Sequence, residues 1–137
     1  MSGVNDYNRS IIDEFRAGGG KLGGSFENMN LLLLHTTGAK SGQERVNPLA
    51  YQPLGDEWAI FGSKRGAPTH PDWYHNLVAN PEVTIEVGSE TLPVTARVLE
   101  GEEREKVWTR QKESSPVFAE YETNTSREIP VIVLRRR

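Results

Sequence analysis

The chain of 137 residues contains no cysteine. That absence excludes disulfides, thiolate nucleophiles, iron–sulfur clusters and every zinc site built on sulfur. Long apolar runs are missing too: no stretch approaches the roughly 18 to 20 apolar residues that a membrane-spanning helix needs. The opening Met1-Ser2-Gly3-Val4-Asn5-Asp6-Tyr7 lacks the basic flank and apolar core of a signal peptide. There is no excess of basic charge. The net charge is −3, whereas nucleic-acid binders usually carry a positive balance. The expectation is a cytoplasmic protein with no nucleic-acid partner and no strong membrane signal.

Several catalytic signatures are also absent. The glycines at 18–20 and 23–24 have neither a preceding strand nor the G-x-x-x-x-G-K-[ST] pattern of a phosphate loop. No G-x-S-x-G elbow marks a serine hydrolase. His35, His70 and His75 form no compact metal-ligand pattern, so no metal site is expected. Glu102 and Glu103 open a charged helix rather than line a cleft, which argues against two-carboxylate chemistry. No internal repeat is present.

What remains is an ordinary globular composition, 36% hydrophobic and 26% charged, read as one domain over residues 1–137. Residues 1–28 form a helix and a glycine-rich connector, and residues 29–137 form the main body. From Asn5 to Ala17 the apolar residues Tyr7, Ile11, Ile12 and Phe15 recur at helical spacing. Met29 to Thr37 holds four consecutive leucines, a strand buried on both faces. A polar turn leads to a return strand, Gln43 to Tyr51. Pro48 inside it has no N–H for a ladder, so it marks an edge, a bulge or a place where ligand replaces a neighbour. Trp58 to Gly62 is a third strand. Pro71 or Asp72 starts a short helix through Ala79, with Trp73, Asn76 and Leu77 on one face.

Val83 to Val87 and Thr91 to Leu99 alternate as two further strands, the second with Leu92, Val94, Ala96 and Val98 on one face. Gly101 to Lys112 is a charged helix anchored by Val107 and Trp108, and Val117 to Tyr121 a short helix. Ile129 to Leu134 is a closing strand, and Arg135 to Arg137 a solvated tail. The order predicts an α+β fold: a mostly antiparallel barrel or rolled sheet of six strands, with helices filling the gaps. A doubly wound parallel sheet does not fit this order.

Four cations, Lys40, Arg45, Lys64 and Arg65, fall at the ends of strands expected to be neighbours. Ser41-Gly42 and Gly66-Ala67 flank them. Serine and glycine turns expose backbone N–H groups, and lysine and arginine add charge-assisted hydrogen bonds, so the pattern suits phosphate or carboxylate. On spacing alone, solvated surface charges remain the simpler reading. Trp73 is equally readable as a wall for a flat ring or as a core anchor, and the core anchor is the simpler.

The run from Leu33 to Leu49, with Thr36-Thr37-Gly38-Ala39-Lys40-Ser41-Gly42 at its centre, resembles the deazaflavin-dependent nitroreductase family. So do Ser63-Lys64-Arg65-Gly66-Ala67-Pro68, Pro71 to Pro81, and Arg127 to Val133. The resemblance spans roughly residues 30 to 134 in unbroken order. It implies a split β-barrel and coenzyme F420, a deazaflavin with a phosphate and an oligoglutamate tail. By motif match, Lys40, Ser41, Gly42 and Arg45 would hold the tail and phosphate, and Asn47 and Pro48 would lie along the ring. Ser63, Lys64, Gly66 and Ala67 would complete those contacts, with Trp73, Tyr74, Asn76 and Leu77 closing the site.

The implied chemistry is hydride transfer to an electron-poor small molecule such as a quinone or an activated enone. Nitro-reducing members resemble one another in a late tyrosine-rich segment. Here that segment reads Val117-Phe118-Ala119-Glu120-Tyr121. Phe118 and Tyr121 would contact the acceptor, and Ser63 and Tyr121 are the candidates for a proton contact. Two alternatives stand beside this reading: a non-catalytic F420 carrier, and an FMN-dependent split-barrel reductase. A monomer and a homodimer are both compatible.

Overall fold

The computed structural model describes residues 3–19 and 30–137. The connector glycines Gly20, Gly23 and Gly24 and the strand start at Met29 lie outside them, as do the side chains of Asn5, Asp6, Tyr7 and Arg65. Six strands close into a barrel in the order β1-β2-β3-β6-β5-β4. They are β1 Leu31–Thr37, β2 Glu44–Leu54, β3 Glu57–Phe61, β4 Glu82–Val87, β5 Glu90–Val98 and β6 Val131–Arg136. The helices are α1 Gly3–Ala17, α2 Asp72–Ala79, α3 Gly101–Ser114 and α4 Val117–Thr123. Every pairing is antiparallel. The expected α+β barrel is therefore the observed one.

The leucine run explains how the barrel is built. Leu32 and Leu34 point inward and join Ile60, Ile85, Val94, Ile132 and Leu134 in the barrel core. Leu33 points outward against Ile11 and Phe15 of α1. A strand that serves two cores must be apolar on both faces, which is why its alternation disappears. α2 lays Trp73 and Leu77 into the barrel core. α3 and α4 cover the outer face of β3 and β6, where Val107, Trp108 and Phe118 meet Phe61, Val131 and Val133.

The sequence reading needs three corrections. β2 runs on to Leu54. The apolar face of β5 ends before Val98, which is 40% exposed, and Leu99 turns instead into the outer core under α3. Arg135 to Arg137 is not a free tail. Arg135 and Arg136 pair with Thr95 and Val94 in β6, and the Arg137 guanidinium donates to the carbonyls of Val94 and Val83.

α1 is also held by charge. Arg16 donates twice to the Glu86 carboxylate on β4, at 3.0 and 2.6 Å, and His35 Nε2 lies 2.6 Å from the same carboxylate. The Arg16 hydrogen bond, helped by His35, holds the Glu86 carboxyl below its ordinary value of 4.5 against the effect of burial. A carboxyl lowered by folding stabilises the folded state above its ordinary range and loses that contribution as pH falls through the lowered value. Glu86→Gln should weaken α1 docking by about 1.5 kcal/mol, the scale of a hydrogen bond to a charged group. Amide exchange over residues 11–17 at pH 7 should speed up more than tenfold in the variant and less at pH 4.

Candidate functional site

The barrel is parted at one end. β2 has 11 residues and β3 only 5. β3 pairs with β2 only from Tyr51 to Leu54, while Glu44 to Ala50 pair with β1 alone. At about 3.4 Å per residue, roughly 20 Å of β2 edge has no strand neighbour on the β3 side among the described residues. Pro48 stands in this stretch, opposite Leu33 of β1. A proline is tolerated where no second neighbour needs its N–H.

Antiparallel order brings the β1–β2 turn and the loop after β3 to this same end. In the turn, Gly38 N–H donates to the Gln43 carbonyl and Gly42 N–H to the Gly38 carbonyl. Gly42 has a φ of +71°, a conformation that favours glycine. Lys40, Ser41 and Gly42 are exposed. Arg45 pairs with Thr36 and Asn47 with Leu34, so both share the inward side of β2 with Leu49. Val46 lies on the other side, against α1. Pro48 falls on that outer side too, so a ring lying on one face of β2 meets the Asn47 side chain or the Pro48 ring, not both.

Asn76 ties the turn to α2. Its Oδ1 accepts from Ala39 N–H at 2.9 Å and its Nδ2 donates to Thr36 Oγ1 at 3.1 Å. It is buried, as are Trp73 and Leu77. These three shape the site from behind. For Trp73 the core-anchor reading is the observed one, because it fills the barrel core together with Leu77. Tyr74 is half-buried, its ring 4.7 Å from that of His70.

The loop after β3 forms a 3-10 turn over Lys64–Gly66. Lys64 has a φ of +45°, the one non-glycine positive value among the described residues. Such backbone is costly and persists where its surroundings enforce it. Gly66 has a φ of +81°, and a Cβ there would lie 2.8 Å from the Tyr121 carbonyl oxygen. The loop thus rests directly on α4. Ser63 is buried, Ala67 is half-buried and Lys64 is exposed.

Phe118 requires a correction. It is 8% exposed and packs edge-on against Phe61, Trp108 and Tyr121. Its ring belongs to the outer core, so it supports Tyr121 rather than facing an acceptor. Tyr121 is half-buried.

One residue was missed by sequence reasoning. Arg127 donates from Nε to the Ala67 carbonyl, from NH1 to the Gly62 carbonyl, and from NH2 to the Ser63 carbonyl. NH1 also lies 2.9 Å from His70 Nδ1. The only signal was its place in the Arg127-to-Val133 block of the resemblance.

The chemistry left available is specific. Arg16, Arg97, Arg104 and Lys112 all have carboxylate partners. The Lys40 and Arg45 side chains make no hydrogen bond or ion pair among the described residues, and neither does the half-buried Asn47 side-chain amide. The Ser63 hydroxyl makes no capping bond. Unpartnered cations, an amide and a hydroxyl beside an open strand edge form a donor set that fits phosphate, carboxylates and a polar ring edge. No group of three or more histidine, aspartate or glutamate side chains that could hold a metal ion is found among the described residues.

Comparison with known proteins points to one family. Residues 7–136 match the family described as F420H(2)-dependent quinone reductase. An F420H(2)-dependent quinone reductase of Mycobacterium tuberculosis strain H37Rv is 45% identical over 109 residues, covering 77% of this chain and 73% of that protein. A solved F420-H2 dependent reductase, FDR-A, superposes with a TM-score of 0.71 at 47% identity, over 77% of this chain and 94% of that one. A second solved chain, described as a domain-swapped dimer, gives 0.72 at 37% identity, over 98% of this chain and all (100%) of that one.

Proposed function

Since the chain belongs to the F420H(2)-dependent quinone reductase family, we propose that the parted end of the barrel binds coenzyme F420 and passes a hydride to a quinone. When bound, reduced F420 supplies the hydride, and the acceptor takes it together with a proton to become the hydroquinone. Lys40 and Arg45 hold the acidic tail and phosphate, with Ser41 and Gly42 offering turn N–H groups. Asn47 and the Ser63 hydroxyl meet polar atoms of the ring, with Lys64, Gly66 and Ala67 beside them. Trp73, Asn76 and Leu77 fix the wall behind. Tyr121, whose backbone lies against Gly66, is the proposed contact for the acceptor oxygen. Activated enones and nitroaromatics are secondary acceptors.

The observation that carries this reading is the row of unpartnered donors beside the open β2 edge. Arg16, Arg97, Arg104, Lys106, Lys112 and Arg135 have carboxylate partners, whereas Lys40 and Arg45 at the cleft have none among the described residues and are available for an anionic ligand. The donors favour a polyanionic deazaflavin over FMN, whose single phosphate needs fewer cations. A cytoplasmic location and a monomeric or dimeric state complete the proposal.

The test is a titration of F420 followed by its fluorescence, with FMN as competitor. Saturable binding that FMN does not displace is expected. Preferential binding of FMN would overturn the cofactor assignment.

A further inference from the structure

Arg127 reaches its partners across 57 to 65 residues of sequence. It comes from the segment after α4 and collects three loop carbonyls, those of Gly62, Ser63 and Ala67. One guanidinium therefore sets the course of the backbone that carries Ser63 and Lys64. Its fourth partner differs from the carbonyls because it can titrate. Guanidinium nitrogens only donate. His70 Nδ1 must then accept, and the imidazole proton resides on Nε2.

Protonation of His70 would put an N–H where Arg127 needs a lone pair. It would also set a second cation 2.9 Å from the guanidinium. Among the described residues, no charge that acts on His70 offsets this. The His75 and Tyr74 rings of α2 lie 5.9 and 4.7 Å from the His70 ring. Lys64 Nζ donates to Thr69, the residue just before His70. The charges that act on His70, Arg127 and His75, are both cationic or become so.

We propose that Arg127 and His70 form a latch that positions the 62–67 loop for its ligand, and that protonation of His70 releases it. Arg127 is a positioning residue: it acts through the loop backbone rather than by touching the reacting atoms. Burial, then Arg127, then His75 hold His70 below its ordinary value of 6.5. A released loop would let His70 titrate at that ordinary value. The latched form is therefore fully favoured above it and loses ground as pH falls through the lowered value. Burial lowers Arg127 from the ordinary arginine range, but a guanidinium stays charged throughout this window. The inference rests on the reading that this loop holds F420.

The experiment is F420 binding by the full chain from pH 8 to pH 5, for wild type, Arg127→Lys and His70→Asn. Asparagine keeps a neutral acceptor for Arg127 but does not titrate. Lysine keeps the charge but not the three-way fork. Wild-type affinity is expected to fall five- to tenfold more than that of His70→Asn over this range. Any titration of the coenzyme is common to both and cancels in the comparison. Arg127→Lys should lose more than tenfold at pH 7.5 and show a flattened pH response. Nitrogen NMR of His70 should report the proton on Nε2 at pH 7.5.

Equal pH responses in wild type and His70→Asn would overturn the latch, as would unchanged binding by Arg127→Lys or a proton on Nδ1. Wild-type protein that binds no F420 at any pH would overturn the functional reading itself, and the ligand role of the latch with it.

Discussion

Replacing Lys40 and Arg45 together with alanine is expected to weaken F420 binding at least a hundredfold and to leave the thermal midpoint nearly unchanged. A hydrogen bond to a charged group contributes about 1.5–3 kcal/mol, and about 1.4 kcal/mol is tenfold in affinity. Two such contacts at an exposed, salt-screened surface give the lower end of that range. Stability is spared because neither side chain has a partner to lose among the described residues. The loss should shrink as ionic strength rises, because part of the wild-type attraction is then screened. Arg110→Ala, which removes an exposed cation from α3, should leave affinity as it is. A fluorescence titration at two salt concentrations checks all of this.

Trp108→Ala should be the most destabilising single change, at about 3–5 kcal/mol. A domain of this size has only about 5–15 kcal/mol in total. The indole is 1% exposed, with ring centroids 5.8 Å from Phe61 and 6.2 Å from Phe118. Its Nε1–H also donates to Glu122 at 2.6 Å, and Lys112 donates to the other oxygen at 3.0 Å. Burial pushes the Glu122 carboxyl up, and the indole and Lys112 outweigh it, so the net direction is down from 4.5. Stability drawn from Glu122 is therefore present above that value and lost as pH falls below it. Trp108→Phe separates the two contributions. It keeps most of the packing but removes the donor, so its acid unfolding should begin at higher pH than wild type. Urea unfolding at pH 7 and acid titration by circular dichroism measure the two effects.

The fold was legible wherever burial leaves a local pattern. Four leucines in a row signalled a strand with two apolar faces, and β1 serves the barrel core on one side and α1 on the other. Pro48 signalled a missing neighbour, and β2 lacks its β3 partner there. The cation clusters at the turn and loop were legible as anion chemistry, although spacing alone did not separate them from solvated charges.

What escaped was polar burial. Only Val107 and Trp108 stood out as anchors of the charged helix from Gly101 to Lys112, yet Arg104 and Gln111 are 5% and 7% exposed. Arg104 donates to the Ile129 carbonyl and Gln111 accepts from Gln52. Arg127 escaped for the same reason. An arginine that binds backbone carbonyls some 60 residues away has no local periodicity to announce it. Phe118 was read as an acceptor contact because its segment matches a family position, whereas its surroundings make it core.

Hydride transfer from F420H2 to a quinone at the parted end of the barrel is read from the absorbance of oxidised F420 after reduced coenzyme and menadione are mixed with the protein, set beside the hydroquinone formed. Protein-dependent return of the oxidised absorbance is expected, saturating in menadione, with one hydroquinone per coenzyme oxidised. Coenzyme that binds and stays reduced with menadione and with other quinones would contradict it, and would make the protein a carrier of F420.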